Sequence, residues 1–411
     1  MEQVIIFVAQ KKLEDSDKAI AEGLEELREL VETAGASVIG ELIQKVDKIN
    51  AKHYLGTGKI EELKLYIEEV GATGVVCDTE LSPLQMKNLS EILDTKVMDR
   101  TLVILDIFAQ RATSSEGKLQ VEMAQLKYQY SRLAGTGISM SRQAGGIGSK
   151  GPGEKKLELD KRNIRKRMDI LEKELAEVKR HREIIRKKRV KEEVRVVSIV
   201  GYTNAGKSTL LNVLTGSDIY VEKQLFATLD TTTRKAILPS GTEVRFVDTV
   251  GFIKKLPHQL IKAFYSTLEE VRYSDIIIHL IDASNEHNES HIQVVEETLK
   301  NLKIEGIPVL KVYNKVDNEQ VYIEELENLT ISAKTGLNLD KLQLKIEEIL
   351  YDEMKKFTAV VPYTKNDIVA YCNKYGEKIV TYYQENGVKI TGFLHFSKIY
   401  KIKPFISVEL E

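Results

Sequence analysis

Apolar positions change their spacing along this chain, and each change marks a different kind of element. Over the first hundred residues short β-branched runs alternate with amphipathic stretches. Val4–Val8, Ser37–Ile43, Gly74–Cys77 and Lys96–Met98 predict strands, and Asp17–Glu32, Gly58–Val70 and Ser82–Leu93 predict helices. Such alternation predicts a small α/β domain with a mainly parallel sheet. Further on, Leu119, Met123, Leu126, Tyr130 and Leu133 recur with helical spacing, and Ile164, Met168, Leu171, Leu175, Val178 and Ile185 resume it. Two long helices packed as an antiparallel hairpin are expected. The glycine-rich stretch between them, 135–153, has little to bury and is expected not to be helical. At 1.5 Å per residue the helices would hold it roughly 30 Å or more from the body of the protein.

After the hairpin the pattern returns to buried strands. Val194, Val196, Val197, Ile199 and Val200 form one, and Gly201-Tyr202-Thr203-Asn204-Ala205-Gly206-Lys207-Ser208 follows it, then Thr209 and the helix-forming Leu210 and Leu211. This is G-x-x-x-x-G-K-[ST] between a strand and a helix, the context in which it wraps a phosphate. Backbone N–H groups, the positive end of the helix and Lys207 would hold the anion, and Ser208 is placed to ligate its magnesium ion. The apolar run Val244–Val247 ends in Asp248-Thr249-Val250-Gly251. There a carboxylate can hold the metal through water and the Gly251 amide can meet a γ-phosphate. Ile276–Ile281 is a third strand, and Val309–Tyr313 delivers Asn314-Lys315-Val316-Asp317. Asp317 can accept from N1–H and the exocyclic amine of guanine, which adenine does not offer. Ser332-Ala333-Lys334, after Leu329–Ile331, supplies a loop to close over the base. The implied nucleotide is GTP, exchanged for GDP. A threonine completing the magnesium shell should lie within 226–233, where four compete.

These motifs resemble, in order, those of translation-factor-related GTPases over about residues 192–355. The fold class is therefore α/β and multidomain. It comprises an N-terminal α/β domain (1–110), a helical hairpin with the glycine-rich loop (111–192), a GTPase domain with a mainly parallel sheet (193–355) and a small α+β domain (356–411). In the last, Thr358–Val361, Lys378–Gln384 and Gly387–Leu394 predict strands and Asp367–Asn373 a helix, and its Tyr and Phe read as core. Gly56-Thr57-Gly58-Lys59 lacks phosphate-loop spacing and reads as a turn and helix start.

Charge sharpens the picture in one place. The chain carries a net −2, yet residues 150–191 hold 17 Lys or Arg against 8 Asp or Glu. A one-signed excess beside a glycine loop is a footprint for RNA backbone, with Arg142, Gln143, Lys150, Lys155 and Lys156 as candidate contacts. Two cysteines without C-x-x-C spacing argue against zinc or a disulfide framework. No apolar run approaches a membrane span, so a cytoplasmic, soluble protein with no membrane partner is expected.

Asp99-Arg100-Thr101, Leu105-Asp106-Ile107-Phe108-Ala109, Glu116–Glu122 and the loop ending Gly151-Pro152-Gly153-Glu154 resemble the HflX GTPases, as do Phe226-Ala227-Thr228-Leu229-Asp230 and Asp248–Phe252. The resemblance covers the chain apart from its divergent tail. It favours Thr228 as the γ-phosphate and magnesium threonine, with Thr232 second. It implies binding to the large ribosomal subunit and its RNA, the glycine loop near the peptidyl-transferase centre, and splitting of stalled or idle ribosomes. For some members it extends to protection against antibiotics; a monomer is expected off the ribosome. Lys155-Lys156 stand where the family more often has a Thr-Gln pair. A large-subunit assembly or RNA-remodelling factor timed by GTP is the competing reading.

Lys207, Thr228 and Gly251 are the expected catalytic groups. Phe252 takes the place of the water-orienting Gln of Ras-like switches, so slow intrinsic turnover stimulated by the ribosome is expected. Asn204 stands where potassium-using GTPases often have Asn, making K+ a candidate cofactor.

Overall fold

The computed structural model describes residues 2–12, 16–140, 152–192, 195–216, 225–226, 232–255, 269–318, 329–352 and 354–408. In the N-terminal unit β1 (Gln3–Lys11), α1 (Asp17–Thr33), β2 (Ser37–Val46), α2 (Thr57–Val70), β3 (Gly74–Cys77), α3 (Pro83–Leu93) and β4 (Lys96–Asp99) follow the predicted alternation. The strands form a fully parallel sheet in the order β2-β1-β3-β4. Strand β1 is buried along most of its length because helices cover both faces. Ser82 starts α3 with a reciprocal capping box to Gln85. Gly56 caps the start of α2, so Gly56–Lys59 is a helix start, as expected.

Asp99 closes β4 and its carboxylate accepts from the Leu102 N–H at 2.9 Å, opening α4 (Arg100–Arg111), a helix the periodicity did not reveal. Burial of Val103, Ile104, Leu105, Ile107 and Phe108 explains why: the helix is apolar on too many sides to show a stripe.

Helices α5 (Ser115–Met140) and α6 (Pro152–Glu192) run antiparallel. Arg167 forks onto Glu122 at 2.6 and 2.8 Å, Arg182 pairs with Glu116, and Leu171 is wholly buried between the helices. The expectation of a non-helical 135–153 needs correction at both ends. Backbone to Met140 and from Pro152 is helical, because an established helix adds a hydrogen bond per residue and absorbs about 1 kcal/mol for a glycine. Residues 141–151, with Arg142, Gln143 and Lys150, lie outside the described residues, and so do the side chains of Lys155 and Lys156.

The third unit contains β5 (Arg195–Gly201), α7 (Lys207–Thr215), β6 (Thr232–Ile237), β7 (Glu243–Asp248), β8 (Ile276–Asp282), α8 (Asn288–Asn301), β9 (Val309–Asn314), β10 (Leu329–Thr330) and α9 (Leu339–Asp352). Its sheet order is β10-β9-β8-β5-β7-β6, parallel except for the β6–β7 pair. Strand β6 escaped the hydrophobic reading because it is an edge strand with the polar sequence TTRKAI.

Strands β11 (Met354–Val361), β12 (Gly376–Gln384), β13 (Gly387–His395) and β14 (Ile406–Val408) form an antiparallel sheet in the order β12-β13-β11-β14, with α10 (Asn366–Tyr375) on its apolar face. Phe357 is core, but Tyr363, Tyr382 and Tyr383 are exposed, against expectation. Tyr382 pairs with Lys389 on the face opposite the buried Ile390 and so points away from the core.

One cluster of buried side chains joins three units, with Val121, Ala124 and Tyr128 of α5 among its members. It contains Val8, Leu27 and Phe108 of the N-terminal unit together with Tyr202, Phe226, Val250, Phe252 and Ile253 of the third.

Candidate nucleotide site

Strand β5 ends in Gly201, and the chain turns through Tyr202–Ala205 into α7. Gly206 adopts φ +94°, and a Cβ there would meet the Asn314 Nδ2 at 2.4 Å, so only glycine lets the loop close. Lys207 is buried, and its Nζ donates to the carbonyls of Gly201 (3.2 Å) and Tyr202 (2.8 Å). Burial pulls its pKa down to about 8, against the pull of Asp248. A phosphate beside this ammonium would offset the cost of its burial. Thr203 and Ala205 are buried, Asn204 is exposed at φ +60°, and Ser208 and Thr209 open α7 half-buried.

Ser208 donates to the Asp248 carboxylate at 2.7 Å, which places two oxygen ligands of the kind Mg2+ takes at the foot of the loop. Among the described residues no cluster of three His, Cys, Asp or Glu could hold a metal. A magnesium ion here would draw on the Ser208 hydroxyl and the Asp248 carboxylate, with phosphate and water oxygens completing its shell. Thr249 donates to the Ile199 carbonyl at 2.9 Å and fixes β7 against β5. Gly251 packs so close that a Cβ would lie 2.8 Å from Thr203 Cγ2 and 3.1 Å from Lys207 Nζ. The next residue is zipped onto the loop: the Phe252 N–H donates to Gly201 at 3.1 Å, and the Thr203 N–H donates to Phe252 at 2.8 Å. The Phe252 side chain turns into the shared core, 3% exposed, beside Val250. Its burial is worth about 2–3 kcal/mol, so the residue is an anchor that cannot orient water.

Asn314 ties the site together. Its Nδ2 donates to the Ala205 carbonyl at 2.8 Å, and its Oδ1 accepts from the Ala333 N–H at 2.9 Å. Lys315 pairs with Asp282 at 2.6 Å, and Val316 and Asp317 turn outward, Asp317 exposed. Ser332 is buried and accepts from the Thr335 N–H at 3.1 Å, while Lys334 is exposed. The structure thus gathers 201–209, 248–251, 314–317 and 332–334 at one end of the parallel sheet. Of the remaining segment Phe226 is described and buried, packing edge-on to Phe108 at 4.7 Å. Ala227, Thr228, Leu229 and Asp230 lie outside the described residues. Thr232 stands in β6, in register with Asp248.

Sequence reasoning missed the groups behind this site. Tyr202 donates its hydroxyl to Glu26, accepts from the Lys254 N–H at 2.8 Å and stacks on His291 at 3.6 Å. Lys254 pairs with Glu22, and Lys255 with Asp78. Asp78 and Glu26 share the buried Arg100. The Asp-Arg-Thr motif was the available signal for this network.

Comparisons with known proteins give the family. Residues 196–315 match the family described as "50S ribosome-binding GTPase", 21–109 match "GTP-binding GTPase N-terminal" and 111–189 match "GTP-binding GTPase Middle Region". A GTPase HflX of Lacrimispora saccharolytica is 49% identical over 400 residues, covering 96% of this chain and 94% of that protein. The chain belongs to the HflX GTPase family. It is accordingly a GTP-binding hydrolase, with an N-terminal domain, a helical middle region and a GTPase domain. The Escherichia coli HflX is 38% identical over 366 residues, covering 87% of this chain and 84% of that protein. A solved GTP-binding protein of Sulfolobus solfataricus, in complex with GDP, is 27% identical and covers 86% of this chain and 99% of that one, with a TM-score of 0.44. Among the described residues of this HflX-family chain no helix is long and apolar enough to cross a membrane.

Proposed function

We propose that this HflX-family GTPase acts in the cytoplasm on the large ribosomal subunit, where GTP-bound protein inserts its hairpin near the peptidyl-transferase centre and separates stalled or idle ribosomes. The observation that carries the reading is the antiparallel α5–α6 pair, whose second helix carries a large basic excess in a nearly neutral chain. In this reading the protein is monomeric off the ribosome, and Arg142, Gln143, Lys150, Lys155 and Lys156 meet ribosomal RNA. Protection from stress or antibiotics would follow from clearing that centre.

Lys207 and the loop amides bind the β- and γ-phosphates, and Ser208 and Thr228 hold Mg2+ with Asp248 behind a water. Gly251 senses the γ-phosphate, and Asp317 reads guanine. Mg2+ would supply charge neutralisation between the phosphates. With Phe252 buried, water orientation must come from outside, and the ribosome supplies it by acting on the threonine loop and the segment after Gly251. K+ near Asn204 adds charge at the phosphates; equal turnover in sodium and potassium would remove that ion from the scheme.

The deciding experiment measures GTP turnover with and without purified large subunits, for the intact chain and for one lacking 137–151, alongside ribosome sedimentation. Strong stimulation with conversion to subunits, lost on deletion, is expected. Stimulation without splitting would instead indicate an assembly factor using GTP as a timer.

A further inference from the structure

The Asp99-Arg100-Thr101 motif lies outside the GTPase domain, yet its central residue leads back to the phosphate loop. Arg100 is 1% exposed, and its guanidinium forks between Asp78 (2.9 Å) and Glu26. Each carboxylate holds a second group from the GTPase domain. Asp78, at the carboxyl end of β3, takes the Lys255 ammonium, and Glu26, on α1, takes the Tyr202 hydroxyl. The same hydroxyl accepts from the Lys254 N–H at 2.8 Å. Lys254 is pinned again by Glu22, while its Nζ also donates to Ser290 at 3.0 Å.

Lys254 and Lys255 form the corner three and four residues after Gly251. Lys255 sits at φ +53°, a conformation a lysine adopts only when its surroundings impose it. Between the corner and the loop run the two backbone hydrogen bonds of Phe252, at 3.1 and 2.8 Å, that hold Gly251 against Thr203 and Lys207. From Arg100 to Gly251 the chain of contacts is unbroken, and most of it is buried.

We infer that Arg100 is a positioning residue for the GTP site: by fixing Asp78 and Glu26 it holds Lys255 and Tyr202, and through them keeps the Gly251 amide where a γ-phosphate arrives. GDP has no γ-phosphate, so the network discriminates between nucleotides without touching either. Pre-ordering this amide removes an ordering cost from GTP binding alone. A bidentate fork is required because two carboxylates on different elements must be held in fixed relation, which the point charge of lysine does not do.

The test is the affinity of the full chain for GDP and for a non-hydrolysable GTP analogue. Lys255→Met removes the more exposed of the two cations on Asp78 and leaves Arg100 paired with it, and denaturant unfolding beside the titration checks that the variant is folded. It should weaken the analogue about 5-fold with GDP unchanged, at the low end of site-to-site couplings. Arg100→Met should weaken the analogue about 10-fold or more, again with GDP unchanged, and Arg100→Lys should fall between it and wild type. The double variant should lose no more than Arg100→Met alone, because both act through one corner. Equal losses for the two nucleotides, additive losses in the double variant, or no loss in Lys255→Met would each overturn the assignment. If Arg100→Met does not fold, the Lys255→Met ratio decides by itself.

Discussion

At the carboxyl end of the GTPase sheet, the chain between β5 and α7 offers backbone N–H groups and the buried Lys207 to an anion. At the carboxyl end of the N-terminal sheet the polarity is reversed. Asp78 and Asp99 close β3 and β4, and both are fully buried. Cations of the protein fill that crevice. Arg100 and Lys255 sit on Asp78, and Arg132 sits on Asp99 at 2.6 Å beside the Tyr128 hydroxyl at 3.0 Å. Parallel sheets place a crevice at this end as a matter of topology. Side-chain charge then decides whether the occupant is a ligand that comes and goes or a neighbouring domain that stays.

Removing the cation from the anion crevice should do the most damage. Lys207→Ala should cost about a thousandfold in affinity for GTP and GDP, since charge-assisted contacts to two phosphates are lost. Unaltered nucleotide titrations would mean that the loop amides alone make the site. The next largest effect concerns the exposed carboxylate of Asp317, the proposed reader of guanine. Asp317→Asn should turn the preference from guanine toward xanthine by about a hundredfold, and a retained guanine preference in competition binding would place base recognition elsewhere. On the acidic side, Asp78→Ala strips a buried partner from Arg100 and Lys255 and should cost about 3 kcal/mol in stability. A loss below about 1 kcal/mol in denaturant unfolding would show the crevice to be wetter than its burial implies.

The smallest effect is one of pH. His291, stacked on Tyr202, is held neutral because burial pulls its pKa from 6.5 down to about 4, despite the nearby Glu22. Between those values the unfolded chain binds a proton that the folded chain refuses. Its contribution is therefore fully present above pH 6.5 and is lost as pH falls toward 4. His291→Gln should flatten the fall of the melting temperature across that window by less than one proton's worth, and an unchanged slope would show that the ring titrates freely.

The anion crevice was legible in the sequence because its parts are local. Gly201–Ser208, Asp248–Gly251 and Asn314–Asp317 each sit within one loop after one strand, where spacing alone fixes geometry. The acidic crevice was not, because its pairs join residues 22, 74 and 177 positions apart. Arg100 was visible as part of a family motif, but nothing in the motif says what it grips. Helix α4 was hidden by its apolar surroundings and β6 by its polar edge position. Tyr382 lies on the open face of its sheet, and Tyr383, on the other face, is exposed beside the hairpin turn of an edge strand, positions that composition does not reveal.

Helix α6 runs 41 residues without interruption, about 60 Å at 1.5 Å per residue. Near its carboxyl end Arg182 pairs with Glu116 and, at 3.8 Å, with Glu270 of the GTPase unit. Arg167, forked onto Glu122 at 2.6 and 2.8 Å, and the buried Leu171 join the two helices along this length, so that a rotation of one carries the other. A tilt of about 5° at Arg182 sweeps the Pro152 end through about 4 Å, from the rise per residue alone. The length of the helix alone therefore sets the scale: an angular change of a few degrees at the Glu270 contact corresponds, 30 residues away, to a distance the size of a nucleobase contact.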